Sequence, residues 1–596
     1  MRLLMKDHQQ HEGELLVQAR RQVPKEVSQV LERIVSDEMP DQHASFFANL
    51  PYVAVAALDA EGRPWTTLLV ADPAAGAPMV RITLPDTLEA RSSLPQDDPF
   101  ARCMQVKETK DSNKLFAMLG VDFTNRRRNK AAGVVTNYKG TAAAFSMTLV
   151  TTENLGNCPK YITVRDLEHC RRQPETLVNA WHDDKGASIA SCLDTIAQAS
   201  SIFLATKHVD KKAERSDVGL NHRGGAPGFV RVYADAAGQW HLVIPDYSGN
   251  RFYQSLGNIQ TDGQAGVLFP NFQTGDMCHV TGKAVNLFDE EAAALMPGMS
   301  LITRIEITGV VFIKGGLNLA QTSPDTFSPY NPQVKYLAHE SAAAASMLNP
   351  SNTATLVSIH PVSSTSAEFT FELDTPVPPF PPGACIVLSF AHTIQRNYSH
   401  MNERKPQALN DDYIRTWTIS AVQDNRITCT IKKVSSGAIS PLLHSLTRAN
   451  PLPRLRLPCL GISSNFSCFN DDGTVPKKML WIAGGVGLTP FLAFHQAIVA
   501  RNIETDVTLL FAYSGDDHRL LDPILRSGRV SVIAFTSGGE KNPGVSTVAR
   551  RMRAADLAPF SDRQAYLCGP VTLSANVTTW LQDAGCPGVH QEKFTF

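Results

Sequence analysis

The stretch MLWIAGGVGLTPFLAF, residues 479–494, decides how the C-terminal part of the chain folds. Met479 to Ala483 form an apolar run with no polar face, the pattern of a strand buried in a sheet. The run ends in Gly484-Gly485-Val486-Gly487, and a helix opens at Thr489-Pro490, where proline suits the first turn. Glycines let a backbone approach a pyrophosphate closely. A helix N-terminus adds unpaired N–H groups and the positive end of a dipole. A tight strand-to-helix turn with no ligand fits the same residues, so the reading depends on what surrounds it.

The surroundings repeat the grammar. DVTLLFAYS (506–514), RVSVIAFTS (529–537) and QAYLCGP (564–570) read as strands alternating with helical patterns, which predicts a parallel sheet covered by helices. Ligands of such sheets sit outside the carboxyl ends of the strands, so Cys568-Gly569-Pro570 is expected to face the same crevice as the glycine turn. Upstream, VSSGAISPLLHS (434–445) sets Ser435, Gly437, Ala438 and Ser440 at the start of a helix, a second anion site. Before it, Arg415-Thr416-Trp417-Thr418 puts a cation, an aromatic ring and hydroxyls on one short strand. Alone, Trp417 reads as a core residue; with the downstream turns in order, it reads as a cofactor platform.

Bulk properties bound the rest. A chain of 596 residues is too long for one core and implies three or four domains at ~100–200 residues each. The 56 basic residues balance 57 acidic ones, so no global field gathers nucleic acid or an anionic membrane. Arg126-Arg127-Arg128 is a local basic spot of the kind most often found on a solvated face. The 11 cysteines show no C-x-x-C spacing, so neither a zinc site nor a cysteine-ligated iron–sulfur cluster is signalled, and no metal is expected. Scattered thiols, a polar N-terminus without a secretory pattern and no apolar run near ~18 residues lead to the expectation of a soluble cytoplasmic protein.

The chain divides by composition. Residues 1–45 carry apolar positions at helical spacing and are expected to form a helical segment. Residues 46–317 are β-rich and echo themselves. VAVAALD…GRPW leads to LFAMLGVDFTNRRRNKAAG, and IFLATKHVD…HRGGAPGFVRV leads to AGVLFPNFQTGDMCHVTGKA. The echo predicts a duplicated β-barrel unit, with halves at 46–165 and 196–317 and a helical spacer around 165–200. Residues 318–350 read as a linker with a short helix. A second, antiparallel β-barrel is expected over 351–475 and the α/β domain over 476–596.

In order, RTWT, SSGAIS, GGVGLTP, YLCGP and the terminal EKFTF resemble the ferredoxin–NADP reductase family of flavoproteins over roughly residues 350–596. The resemblance implies that Arg415 holds the FAD pyrophosphate, that Trp417 lies against the isoalloxazine ring and that Thr418 hydrogen-bonds near flavin N5. Thr416 shares that strand. Ser435, Gly437, Ala438 and Ser440 would receive FAD phosphates. Gly485, Gly487, Thr489 and Pro490 would contact the nicotinamide nucleotide, with Cys568, Gly569 and Pro570 beside its ring. Glu592 and Phe594 match the terminal acidic and aromatic pair; with Thr418 and Cys568 they are the candidate catalytic residues. The family more often has tyrosine where this chain has Trp417, and the Pro-x-Gly-x-Phe segment survives only loosely as PCLGISSNF. The absent cysteine cluster places the electron acceptor elsewhere. Only Arg519 and Lys541 stand where a 2′-phosphate would be met, which favours NADH over NADPH.

The N-terminal region, through DAEGRPWTTLLV, NHRGGAPGFVRV, IPDYSGNRFYQSLGNI and GVLFPNFQTGDMCHVTGKA, resembles the pyridoxamine 5′-phosphate oxidase-like FMN-binding split barrels. There two barrels pair, so the tandem echo implies a pseudo-dimer within one chain, and a homodimer of the whole chain is also open. For FMN the candidate residues are His222, Arg223, Tyr247, Asn250 and Arg251. A structural pairing of His222-Arg223 with Asp246 or Asp217 explains them equally well. The functional expectation is a flavin-dependent oxidoreductase passing hydride from NAD(P)H to FAD. Electrons would then reach FMN, a small molecule or a protein acceptor. The alternatives are a barrel that only docks or dimerises, or one that binds haem.

Overall fold

A computed structural model describes residues 10–27, 35–105, 114–157, 159–209, 216–340, 352–377, 379–394, 399–449, 451–464, 466–470, 472–586 and 588–592. The chain forms two compact units. One takes the described residues up to Glu340 together with 399–411; the other takes 352–394 and everything described from Asp412 onward.

The first unit holds two large antiparallel sheets. One contains β1 (Tyr52–Leu58), β2 (Pro64–Val70), β3 (Val80–Leu84), β4 (Thr87–Ser92), β5 (Lys114–Asp122), β6 (Arg127–Thr141) and β7 (Ala144–Asn157). Its strand order is β2-β1-β5-β6-β7-β4-β3. After the short strands β8 (Leu167–His169) and β9 (Glu175–Ala180), the second sheet is built from seven more. These are β10 (Ser201–Val209), β11 (Ser216–Gly224), β12 (Arg231–Ala234), β13 (Trp240–Pro245), β14 (Gln264–Pro270), β15 (Met277–Phe288) and β16 (Leu301–Lys314). Their order is β11-β10-β14-β15-β16-β13-β12, with β9 added on β16.

The expected helical spacer around 165–200 is helical in its second part, a 3₁₀ helix Ala187–Cys192 running into the α-helix Leu193–Gln198, and carries β8 and β9 before it. ETLVNA alternates exposed and half-buried residues, and that period of two lets β9 pair along β16. The segment read as a linker is packed over its described part. β17 (Leu319–Gln321) pairs with β8, Leu337 is fully buried, and Glu340 meets Arg231 at 2.6 Å. The short helix expected there falls beyond Glu340, outside the described residues.

The N-terminal segment contains the helix Glu12–Arg20, which crosses the helix Gln254–Asp262 at backbone contact. A Cβ on Gly13 would meet the Gly257 carbonyl oxygen at 2.2 Å, so the crossing requires glycine. It carries Glu14, only 2% exposed, into a cluster with Lys130, Glu153 and Asp217. Burial, then the Asp217 charge, pushes the Glu14 carboxyl up to about 8. Segment 399–411, read from sequence as part of the FAD barrel, packs on this unit instead. The Asn410 side chain accepts from the Ser248 N–H at 2.9 Å and donates to the Tyr161 hydroxyl at 3.0 Å and the Tyr330 carbonyl at 3.3 Å.

The second unit is β-rich and then α/β. Its antiparallel sheet comprises β18 (Asn352–Pro361), β19 (Ser366–Leu373), β20 (Cys385–Ser389), β21 (Ile414–Thr418), β22 (Ala421–Gln423), β23 (Arg426–Lys432) and β24 (Arg456–Ser463). The order is β21-β20-β24-β18-β19-β23-β22. The parallel sheet comprises β25 (Lys478–Gly484), β26 (Asp506–Tyr513), β27 (Val530–Thr536), β28 (Ser546–Val548), β29 (Gln564–Cys568) and β30 (Val589–Gln591). Its order, β28-β27-β26-β25-β29-β30, reverses direction between β25 and β29. Met479, Trp481 and Ala483 of β25 enter one core and Leu480 and Ile482 the other, which is why the run from Met479 to Ala483 carries no polar residue. The architecture is multidomain, with antiparallel sheets and one parallel-sheet domain.

Candidate functional site

In an open parallel sheet the crevice lies where strand order reverses, outside the carboxyl ends of the strands. Here that point lies between β25 and β29, the strands that end in the two turns singled out from sequence. The turns touch. A Cβ on Gly487 would meet the Cys568 carbonyl oxygen at 2.4 Å, and one on Gly484 the Pro570 ring at 2.7 Å. Gly485 has φ +54°, left-handed backbone that favours glycine. Residues 485–488 form a 3₁₀ turn, and the helix Thr489–Ala500 follows with Thr489 and Pro490 buried. Cys568 is fully buried; burial and then the Glu592 charge push its thiol far up, so it shapes the crevice as a neutral group.

RTWT lies on β21, the terminal strand of its sheet, with Thr418 opposite Cys385 and Trp417 opposite Ile386. Trp417 packs edge-on against Phe390 at 5.6 Å. Arg415 donates to the Ile414 carbonyl at 2.8 Å. The Thr416 hydroxyl is buried with no hydrogen-bond partner among the described residues. Thr418 is buried, and its hydroxyl lies 3.8 Å from the Cys385 thiol. Downstream, the Ser440 hydroxyl accepts from the Val434 N–H at 3.0 Å, and the Gly437 N–H donates to the Val434 carbonyl at 2.9 Å, closing the Ser435–Ala438 turn. The helix after it, Ile439–Ser445, has no side-chain cap.

Glu592 joins these elements. Its N–H donates to the Leu567 carbonyl at 3.0 Å, fixing it beside the end of β29. One carboxyl oxygen is buried without a hydrogen-bond partner among the described residues, and burial pushes the group up to about 7. Its charge acts on the thiols of both Cys568 and Cys385. Thr418, Cys568 and Glu592, far apart in sequence, are therefore gathered around one locus. Phe594 lies outside the described residues. An orphaned acid, an orphaned hydroxyl at Thr416 and a glycine-lined turn fit the polar edge and phosphates of a flavin and a nicotinamide nucleotide.

Sequence reading missed a polar cluster that ties the antiparallel sheet to the segment after β26. Asp517, 1% exposed, accepts from the hydroxyls of Ser363, Thr365 and Ser366 at 2.7, 3.1 and 3.3 Å and pairs with Lys432 at 2.7 Å. Asp516 accepts from the Ser364 N–H at 2.9 Å. The available signal was the Asp-Asp pair directly after β26 and the hydroxyl run SSTS at 363–366.

In the first unit, His222, Arg223, Tyr247, Asn250 and Arg251 all line one pocket. Arg223 pairs with Asp246 at 3.0 Å, as the structural alternative expected. His222 has no such pairing: it is 3% exposed, and neither ring nitrogen has a hydrogen-bond partner among the described residues. Burial, then the charges of Arg128, Arg165 and Arg223, hold it well below the usual histidine range. Sequence reading missed Arg128, Lys130 and Lys160, which add cations to the lining. Arg128, set aside in the basic run, donates to the His222 carbonyl at 2.9 Å. The helix Gln254–Asp262 starts in this pocket with no side-chain cap, and Arg251 and Tyr253 just before it have φ +64° and +61°. Cations, uncapped N–H groups and the rings of Tyr161, Phe229 and Tyr247 suit an aromatic ligand that carries an anion. No group of three or more metal-ligating side chains occurs among the described residues, and no described helix is long and apolar enough to cross a membrane.

Residues 481–579 match the family model for the oxidoreductase NAD-binding domain. The flavohemoprotein of Rhodopirellula baltica is 26% identical over 241 residues, 38% of this chain and 54% of that protein. The ferredoxin reductase component of 3-ketosteroid-9-alpha-monooxygenase from Mycolicibacterium smegmatis is 26% identical over 199 residues, 31% of this chain and 51% of that protein. The flavohem-like FAD/NAD-binding domain of nitric oxide dioxygenase from Vibrio cholerae aligns with 40% of this chain and 97% of its own, at 20% identity and TM-score 0.32. The chain spans about half the length of the curated relatives it matches. The C-terminal region is thus of the ferredoxin–NADP reductase-like, FAD/NAD-binding class. Within it, residues 481–579 are the part that matches the oxidoreductase NAD-binding domain.

Proposed function

We propose that the protein is an NAD(P)H-dependent flavoprotein oxidoreductase whose C-terminal unit loads electrons from a dihydronicotinamide, preferentially NADH, for an acceptor held by the N-terminal unit. The observation that carries the reading is the gathering of Thr418, Cys568 and Glu592 at the reversal point of the parallel sheet. The chemistry that bound FAD supplies is hydride acceptance. Arg415 and the 435–440 turn would bind its phosphates, Trp417 would pack on its ring, and Thr416 and Thr418 would offer hydroxyls to its polar edge. Gly485 and Gly487 would let the coenzyme backbone approach the turn, and neutral Cys568 would exclude water beside the nicotinamide. Glu592 would hold a proton at its orphaned oxygen below pH about 7.

The N-terminal unit would be a tandem pair of split barrels, with FMN in the cationic pocket and His222, Arg223, Tyr247, Asn250 and Arg251 around it. The lining supports this: it joins several cations, an uncapped helix start and three aromatic rings. A small-molecule or protein acceptor would draw electrons from there. Anaerobic stopped-flow reduction with NADH and NADPH, read at the flavin bands of the purified full chain, tests the scheme. Fast bleaching by NADH of two flavins per chain is expected. A single FAD with no second chromophore would reduce the N-terminal unit to a docking module, and a Soret band would assign haem instead.

A further inference from the structure

The two sheets of the first unit can be superimposed residue by residue from their registers. Each has a β-bulge at a glycine, Gly133 in β6 and Gly282 in β15. A Cβ at either would strike the opposing strand's carbonyl oxygen at 2.0 Å. Phe123 and Phe272 each stand ten residues before that glycine. They touch each other edge-on at 5.4 Å, as equivalent residues on a twofold axis do. β5 packs on β11 as β14 packs on β2. Counting from the bulges pairs Arg128 with Met277 and Lys130 with His279. Leu119 then matches Leu268, and the β1–β5 and β10–β14 registers match Ala54 with Phe203. Through β2 and β11, Asn221, His222 and Arg223 correspond to Thr67, Leu68 and Leu69.

The equivalent positions are opposite in character. The pocket presents Arg128, His222 and Arg223; its counterpart has Met277, Leu68 and Leu69, all within 2% of complete burial in the core. The helix starts differ in the same way. Gln254–Asp262 opens into the pocket uncapped, whereas Pro99–Gln105, the helix between β4 and β5, begins at Asp98, whose carboxyl group turns back on it. That carboxyl accepts from the Phe100 N–H at 2.9 Å and the Thr67 hydroxyl at 2.6 Å, and the His279 ring faces it at 3.9 Å. Thr67 and His279 are the counterparts of Asn221 and Lys130. On one side of the axis a carboxyl group of the chain caps the helix start; on the other, Lys130 meets the Gln254 side chain and Asn221 the Ser255 hydroxyl at 2.6 Å, and the pocket keeps the buried His222, unpartnered among the described residues.

We infer that the duplicated unit keeps one ligand site per chain. Its anion subsite, at the start of helix Gln254–Asp262 beside Lys130, Asn221 and His222, takes the phosphate monoester of a single FMN, and Asp98 closes the equivalent site. The inference rests on the FMN reading above and adds its stoichiometry and its phosphate subsite. The test is flavin titration of the flavin-stripped full chain with FMN, riboflavin and inorganic phosphate, followed by calorimetry and fluorescence. One FMN per chain beside one FAD is expected, with riboflavin about a hundredfold weaker because it lacks the charged contacts. Replacing His222 and Arg223 by leucine, which copies the closed half, should abolish FMN uptake and leave FAD content unchanged. Two FMN per chain would overturn the single site while sustaining the FMN reading. Riboflavin binding as tightly as FMN would overturn the phosphate subsite. Competition by phosphate without FMN uptake would overturn the FMN reading alone, and binding of none of the three would overturn both.

Discussion

Glu592 shows how far a single residue departs from its solution chemistry when its surroundings change. Burial holds its carboxyl at about 7, so it is protonated below that pH and ionises above it. The hydride step, followed by stopped flow across pH, should show an inflection near 7 that Glu592→Gln removes. Trp417 is only half-buried and rests edge-on against Phe390, so its remaining face is available to a ring. Trp417→Ala should lower FAD retention after gel filtration by about tenfold, the loss of one stacked aromatic contact. Unchanged flavin content and reduction rate would undo the assignment of this strand. Arg415, Trp417 and Thr418 stand out in the sequence as candidates because five motifs follow one another in order. Asp517 does not: its hydroxyl partners stand some 150 residues upstream, and only folding brings them within 2.7–3.3 Å.

At the scale of elements, legibility followed periodicity. MLWIA could be read because a strand buried on both faces leaves no polar residue, and the helix after it because proline and glycine punctuate its start. β8 and β9 were missed because short strands on a spacer carry too few residues for a period of two to stand out. The turn after β25 makes its own prediction. Gly487→Ala places a methyl 2.4 Å from the Cys568 carbonyl, so the β25 and β29 turns must separate. The expected result is a KM for NADH raised about tenfold, with FAD content retained, since the affected atoms belong to the coenzyme crevice and not to β21. Unaltered steady-state kinetics would show that the close approach of the two turns has no bearing on coenzyme binding.

For the whole molecule, the first unit should lose stability as pH rises from acid to mildly alkaline. Glu14, with a raised folded pKa, contributes stability that is full below its unfolded value of 4.5 and lost as pH rises through about 8. Asp217, pushed up to about 7 by burial and the Glu153 charge, acts in the same direction in the same unit. Calorimetry between pH ~5 and ~8 should therefore move the transition of the first unit downward. Glu14→Gln should raise that midpoint by about 4 °C at pH ~9 and have little effect at pH ~5. A variant equally destabilised at both pH values would show that Glu14 acts through packing alone. The division into β-rich and α/β regions was visible from sequence because the change from turn-spaced strands to strand–helix alternation is abrupt. The allegiance of segment 399–411 was not, since it depends on one asparagine meeting partners at Tyr161, Ser248 and Tyr330.

That segment bears on how the protein can be divided. The chain completes the first unit at Glu340, enters the second, and returns to the first before β21 begins. No single cut yields two intact pieces. A product ending at Glu340 leaves the Ser248 amide and the Lys160 ammonium without the acceptors that Asn410 and His400 supply at 2.9 and 2.7 Å. A product starting after it carries a strip of chain whose natural partners are missing. The two halves are interlaced by topology, so a gene rearrangement that separated them would have to rebuild the connection between β20 and β21 at the same time.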